Sequence, residues 1–222
     1  MTRQEPYSAL KNVLGALQPV AGRVRVSSGW KAKATNPHAG SEMKRTIVNP
    51  IFKDSVTFLQ TSAETNGRAT ELEVTLMPKG RNVLHCHAYP EIFTAIDGDL
   101  GLENEKKEQK ILKSGESYTV ESMAWHCFYN PTDREIRFGV RVEPANEKLE
   151  YFLRILYGMA ADGLTDSQSR PKSIKHAAIL FGMAEGKMAG LSFALMSPIL
   201  KGMAKKARTK GEEQKLINKY CV

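Results

Sequence analysis

The chain is 222 residues long, 41% hydrophobic and 25% charged, which suits a soluble globular protein of one domain with additions or two small domains. Three cysteines do not make a disulfide scaffold, residues 1–19 contain Glu5 and no long apolar core, and the longest uncharged run of the C-terminal third, 188–200, is 13 residues, short of the ~18–20 that cross a bilayer. Net charge is +8, spread as eight Lys/Arg against two Asp/Glu over 1–46, eleven against fifteen over 47–144 and thirteen against seven over 145–222, with no nucleic-acid motif or basic-aromatic run, so we expect a cytoplasmic protein that does not bind nucleic acid.

Residues 1–46 read as an N-terminal extension. Leu10, Val13, Leu14 and Leu17 recur at helical spacing before Pro19, predicting a short amphipathic helix over 7–17. Residues 27–42 are rich in Gly, Ser, Asn and Pro and read as a loop, with Trp30 packed at a corner. From Thr46 the pattern becomes one of short strands. Val56 and Phe58 alternate with polar residues, Asn66-Gly67 signals a hairpin, and Leu72, Val74 and Leu76 alternate with Glu71, Glu73 and Thr75 as a half-buried antiparallel strand.

Two stretches then carry the chemistry. In the first, Gly80, His85, His87, Pro90, Glu91 and Gly98 fall in the order G-x4-H-x-H-x2-P-E-x6-G. A strand places His85 and His87 on one face, and a turn at Pro90 brings Glu91 back beside them. Two imidazoles and a carboxylate converging on one point are the donors of a divalent metal site. The second stretch runs from Gly115 through Glu121, Met123 and His126 to Asn130 and offers one more imidazole. Between them, Asp97-Gly98 reads as a turn and residues 103–110 as a polar hairpin tip. Ile136, Phe138, Val140 and Val142 close the series as a strand ended by Pro144. Strands at this spacing suggest a sandwich or a jelly roll.

The two stretches resemble the paired motifs of the cupins, G-x5-H-x-H-x3,4-E-x6-G and G-x5-P-x-G-x2-H-x3-N. Four residues here separate Gly80 from His85, and Glu121 and Met123 stand at the second motif's Pro and Gly. The resemblance implies a mainly β protein, a cupin jelly-roll barrel over 47–144, with His85, His87, Glu91 and His126 as ligands of one divalent transition metal. Three neutral imidazoles and one carboxylate leave two positions of an octahedral ion open, as in an active site, and nitrogen-rich ligation suits Fe, Mn, Ni, Cu or Zn.

Alternation would turn Phe93, Phe128 and Asn130 into the lumen along with the ligands, with Leu72, Leu76, Phe138 and Val140 completing an apolar wall. Tyr89, Phe93, Phe128, Asn130 and Phe138 are thus candidate substrate contacts, Tyr89 at the mouth. Cys86 and Cys127 should point away from the metal as buried thiols. The leading functional reading is a small-molecule dioxygenase. The alternatives are a non-oxidative metal-dependent isomerase or lyase, and a non-catalytic small-molecule-binding cupin. The family resemblance also implies a homodimer.

After Pro144 the period changes to 3.6. Residues 146–161 carry Leu149, Phe152, Leu153, Leu156 and Tyr157 on one side behind Asn146 as N-cap. A second helix is expected from Pro171 to about Glu185, a third over 188–206 with a break at Pro198, and a frayed or helical tail over 211–222. The C-terminal helical extension, 145–222, therefore presents Met183, Met188, Leu191, Leu195, Met196, Ile199 and Leu200, which need a cover. The barrel, a partner subunit or a membrane surface would serve, the last with Lys201, Lys205, Lys206 and Arg208 on anionic headgroups.

Overall fold

A computed structural model describes residues 44–188 and 191–221, with the side chains of 188 and 191–196 excepted. The helix expected over 7–17 and the loop containing Trp30 lie outside the described residues. Ten strands form the barrel: β1 (Thr46–Asn49), β2 (Asp54–Gln60), β3 (Thr70–Leu76), β4 (His85–His87), β5 (Glu91–Asp97), β6 (Leu100–Glu103), β7 (Gln109–Leu112), β8 (Ser117–Val120), β9 (Cys127–Tyr129) and β10 (Ile136–Val142). An extension of α1 (Glu147–Ala161), α2 (Ile174–Met183), β11 (Gly186–Met188), α3 (Leu191–Thr209) and α4 (Glu212–Tyr220) follows.

The fold is a jelly roll. One antiparallel sheet runs β1-β2-β3-β10-β5-β8, and a three-stranded sheet β7-β6-β9 faces it. β4 joins the second group through a backbone bridge between His85 and His126, and it pairs with β11 on its other side. Period-two side chains explain the core. Val56 and Phe58 of β2, Leu72, Val74 and Leu76 of β3, Phe93 and Ala95 of β5, and Ile136, Phe138, Val140 and Val142 of β10 are all buried in one cluster. Glu91 opens the inward row of β5, so the alternation that buries Phe93 also turns this carboxylate inward.

The turns follow the sequence with one change. Asn66 and Gly67 both have positive φ, as a type I′ pair requires, yet they sit inside a nine-residue connection, 61–69, and do not form a tight hairpin. Thr65 accounts for the difference: its Oγ1 bonds the carbonyls of Thr61 and Ala69 and closes the longer loop. Gly98, at φ +86, passes the chain from one sheet to the other, where any Cβ would strike the Ile136 side chain.

The helical extension shares the barrel's core. Asn146 caps α1 by accepting the Leu149 N–H at 3.1 Å. One face of α1 puts Leu149 and Tyr157 into the barrel cluster. The opposite face puts Ile155 and Met159 into a second cluster with Ile179, Leu180 and Met183 of α2, Ala207 of α3 and Leu216 of α4. Buried polar groups tie the layers together. Glu150 accepts from Thr70 Oγ1 at 2.6 Å and from the Ser62 N–H at 2.7 Å, and Tyr157 donates to Asp54 at 2.7 Å.

Two expectations need correction. The extension, read as helices and their connections, also contains a strand, β11. The tail takes the helical of its two expected forms, as α4. α3 also continues through Pro198, because proline removes only one ladder bond while Leu200 and Ala204 pack beside Ala178 of α2 and hold the axis. Ile199 is 61% exposed, and Arg208 is paired with Glu213 at 3.0 Å. No helix among the described residues is long and apolar enough to cross a membrane.

Candidate metal centre

β4 is three residues long, so its two histidines project from the same face while Cys86 between them projects from the other. The turn at Ala88–Pro90 reverses the chain, and Glu91 starts β5 directly beside them. His126 arrives from the second motif, its N–H donating to the His85 carbonyl at 2.8 Å and its carbonyl accepting the His85 N–H at 3.0 Å. This pair of hydrogen bonds between two candidate ligands fixes the spacing of the two motifs. The donor atoms of His85, His87, Glu91 and His126 all lie within 4.8 Å of one another. Glu91 Oε2 is 3.2 Å from both His87 Nε2 and His126 Nε2. His87, Glu91 and His126 are buried, and His85 is half-buried.

Each ring is held by its outer nitrogen. His85 Nδ1 lies 2.9 Å from the Val83 carbonyl, His87 Nδ1 2.7 Å from that of Tyr89, and His126 Nδ1 3.0 Å from that of Ala124. A carbonyl only accepts, so each Nδ1 carries the hydrogen and each Nε2 presents a bare lone pair to the centre. Three lone pairs and a carboxylate then face one another with no donor among them, and His87 Nε2 is buried without a hydrogen-bond partner. Buried acceptors pointed at each other are costly. A cation removes the conflict, and the donor set, nitrogen-rich with one hard oxygen, fits a divalent transition metal. The residues fit the group.

The electrostatics agree. Burial, reinforced by the neighbouring His126, pushes the His85 imidazole down to about 4, so it is neutral near pH 7.

Around the centre the candidate contacts separate into kinds. The Tyr89 ring stacks on His87 with centroids 3.9 Å apart, and burial raises its phenol far above the ordinary value. Tyr89 also lines a cleft of about 350 Å³ bounded by Pro144, Lys148 and Glu185, so one aromatic ring stands between that cleft and His87. Phe93 meets His126 edge-on at 5.9 Å and packs with Phe128 and Phe138. Phe93 and Phe138 are fully buried core residues, and Phe128 alone of the three is half-exposed. Asn130 does not face a ligand. Its amide donates to the carbonyls of Leu76 and Arg134, and its oxygen accepts from Thr132, so the side chain is consumed by the turn it closes.

Residues 72–142 match the family described as Cupin domain. The barrel is a cupin domain. No curated protein matches the chain in sequence. Among solved structures, the cupin is similar to a polyketide cyclase from Streptomyces resistomycificus, at 19% identity and a TM-score of 0.38 over 46% of this chain and 66% of that one. It is similar to an oxalate oxidase in complex with glycolate, at 21% identity and a TM-score of 0.36 over 41% of this chain and 51% of that one. An RmlC-like cupin from Shewanella frigidimarina aligns over 54% of this chain and 99% of its own at 13% identity and a TM-score of 0.41. The chain thus spans only part of the length of the first two.

Two features of the cupin site depart from the sequence reading. Met123, where the second motif has Gly, adopts φ +64 and donates its N–H to the His87 carbonyl at 2.7 Å, so a side chain occupies a left-handed turn. The orienting carbonyls of Val83, Tyr89 and Ala124 were not singled out, because any residue type supplies a carbonyl. The thiols behave simply. Cys86 and Cys127 are buried outside the donor group, and Arg81 donates to the Cys127 sulfur at 3.2 Å.

Proposed function

We propose that this cupin holds one divalent transition metal on His85, His87, Glu91 and His126 and oxygenates a small, largely apolar molecule beside it. The observation that carries the reading is the buried His87 Nε2, unpartnered among three converging acceptors whose tautomers are already set for a cation. When bound, such an ion supplies Lewis acidity and two exchangeable positions left over from four protein donors. The chain's own residues do the rest. The Nδ1–carbonyl bonds keep the rings aimed, Glu91 offsets one unit of the ion's charge, and Phe93 and Phe128 exclude water below His126.

A binding-only cupin would share the same metal centre and differ only in turnover.

Elemental analysis of freshly purified protein should find one transition-metal ion per chain, and none in His87→Ala with His126→Ala. Oxygen uptake measured over a panel of small aromatic and diketone compounds, dependent on the ion, tests the reaction. Metal-loaded protein that binds members of the panel without consuming oxygen or converting them would replace oxygenation by the binding reading.

A further inference from the structure

β4 carries two of the four donors on three residues, and so short a strand does not hold its own position. One edge is tied to the second motif, through the His85–His126 pair and the Met123 N–H on the His87 carbonyl. Those bonds use the backbone of His85 and His87 on that edge. By the alternation of strand hydrogen bonding, Cys86 turns its backbone groups to the opposite edge. β11 lies there, antiparallel, in the register Gly186 to His87, Lys187 to Cys86 and Met188 to His85.

The approach of the two strands is set by a missing side chain. A Cβ on Gly186 would overlap the Cys86 carbonyl oxygen and lie 3.2 Å from His87 Cβ. Glu185, just before it, has φ +49 and pairs with Lys148 on α1, turning the chain from α2 into the strand. Behind this corner, Met183 of α2 is buried with Ile155 and Met159 of α1. β11 is thus anchored to the helical layer on one side and laid against a ligand strand on the other.

We propose that β11 is a positioning strand for the metal centre. Through Gly186 and Lys187, the helical extension holds His85 and His87 at the spacing that the ion requires. A ligand strand free on one edge would have to be ordered at the moment of binding, and that cost would appear as lost affinity. Coupling is reciprocal, so metal binding stabilises β11 by the same factor that β11 contributes to metal binding. The inference rests on the proposed metal centre but assigns a role to residues outside it.

The test uses full-length protein stripped of metal and titrated with cobalt(II), alongside Gly186→Ala and Gly202→Ala. A Cβ at Gly202 meets nothing within 4 Å, which makes it the control. Gly202→Ala should match the wild type in affinity and in the cobalt ligand-field spectrum. Gly186→Ala should bind at least about tenfold more weakly, as loss of an orienting group does, with a shifted spectrum. In the wild type, cobalt should also slow amide hydrogen exchange of the 183–188 segment by about tenfold or more. Wild-type affinity and spectrum in Gly186→Ala, or exchange at 183–188 indifferent to cobalt, overturns the positioning role while leaving the metal centre standing. Should Gly186→Ala not fold, the wild-type exchange result decides alone. A wild type that takes up no cobalt sinks the metal centre itself, and this inference with it.

Discussion

Asp54 sits at the start of β2, buried under α1, with Tyr157 donating to one carboxylate oxygen while the other has no partner. Burial pushes its carboxyl up from 3.8 to about 6, and the Tyr157 and backbone hydrogen bonds reverse only part of that rise. The folded protein therefore holds this proton more tightly than the unfolded chain does. The stability it contributes is complete below 3.8 and is lost as the pH rises through about 6. A rise from 3.8 to about 6, at about 1.36 kcal/mol per unit, is a loss on the order of 3 kcal/mol by neutral pH. Asp54→Asn keeps an acceptor for Tyr157 and cannot ionise. Urea denaturation of both proteins from about pH 4.5 to about 8, read by linear extrapolation, gives a difference in which the other titrating groups cancel. About 1 kcal/mol of that loss is already present at pH 4.5, so the difference should move in favour of the variant by about 2 kcal/mol across this range. A gap that does not change with pH would mean that Asp54 titrates as it does in the unfolded chain, and the account of its burial would be wrong.

Met123→Gly should stabilise the protein by about 0.5–1 kcal/mol, since relief of the left-handed φ exceeds the added freedom of the unfolded chain; thermal melts of the metal-free protein check it. Glu91→Gln removes the only anionic donor, and chelator competition should show metal affinity falling by about tenfold or more. Phe138→Ala deletes a ring with no solvent exposure that packs at 5.0 Å on Phe128, and it should cost about 3–5 kcal/mol in chemical denaturation.

What the sequence discloses is what its own neighbourhood determines. His85 and His87 share a face because two is the strand period, and Glu91 returns beside them because the turn between them spans only three residues. Asn146 was legible as a cap because capping is a bond between a side chain and the backbone three residues on. The failures are of the opposite kind. β11 pairs with a strand a hundred residues away in sequence, and Gly-Lys-Met carries no alternation to betray it. Pro198 reads as a break until α2 is seen packed beside α3. Asn130 also falls on the period that should face the lumen, yet its amide is spent on the carbonyls of Leu76 and Arg134, a partner set that spacing does not show.

The acceptors that orient the three imidazoles all belong to the main chain, each two residues from its own histidine. In many metal sites a carboxylate side chain does this work, and a single codon change removes it. Here no substitution at Val83, Tyr89 or Ala124 deletes an oxygen, since every amino acid brings the same carbonyl. Ring orientation is therefore shielded from point mutation, and drift can abolish the centre only by losing a donor or by bending the backbone. A random-mutagenesis screen for lost metal uptake should accordingly return hits at the four donors and at conformationally demanding positions such as Gly98 and Gly186, with Val83, Tyr89 and Ala124 tolerant of exchange.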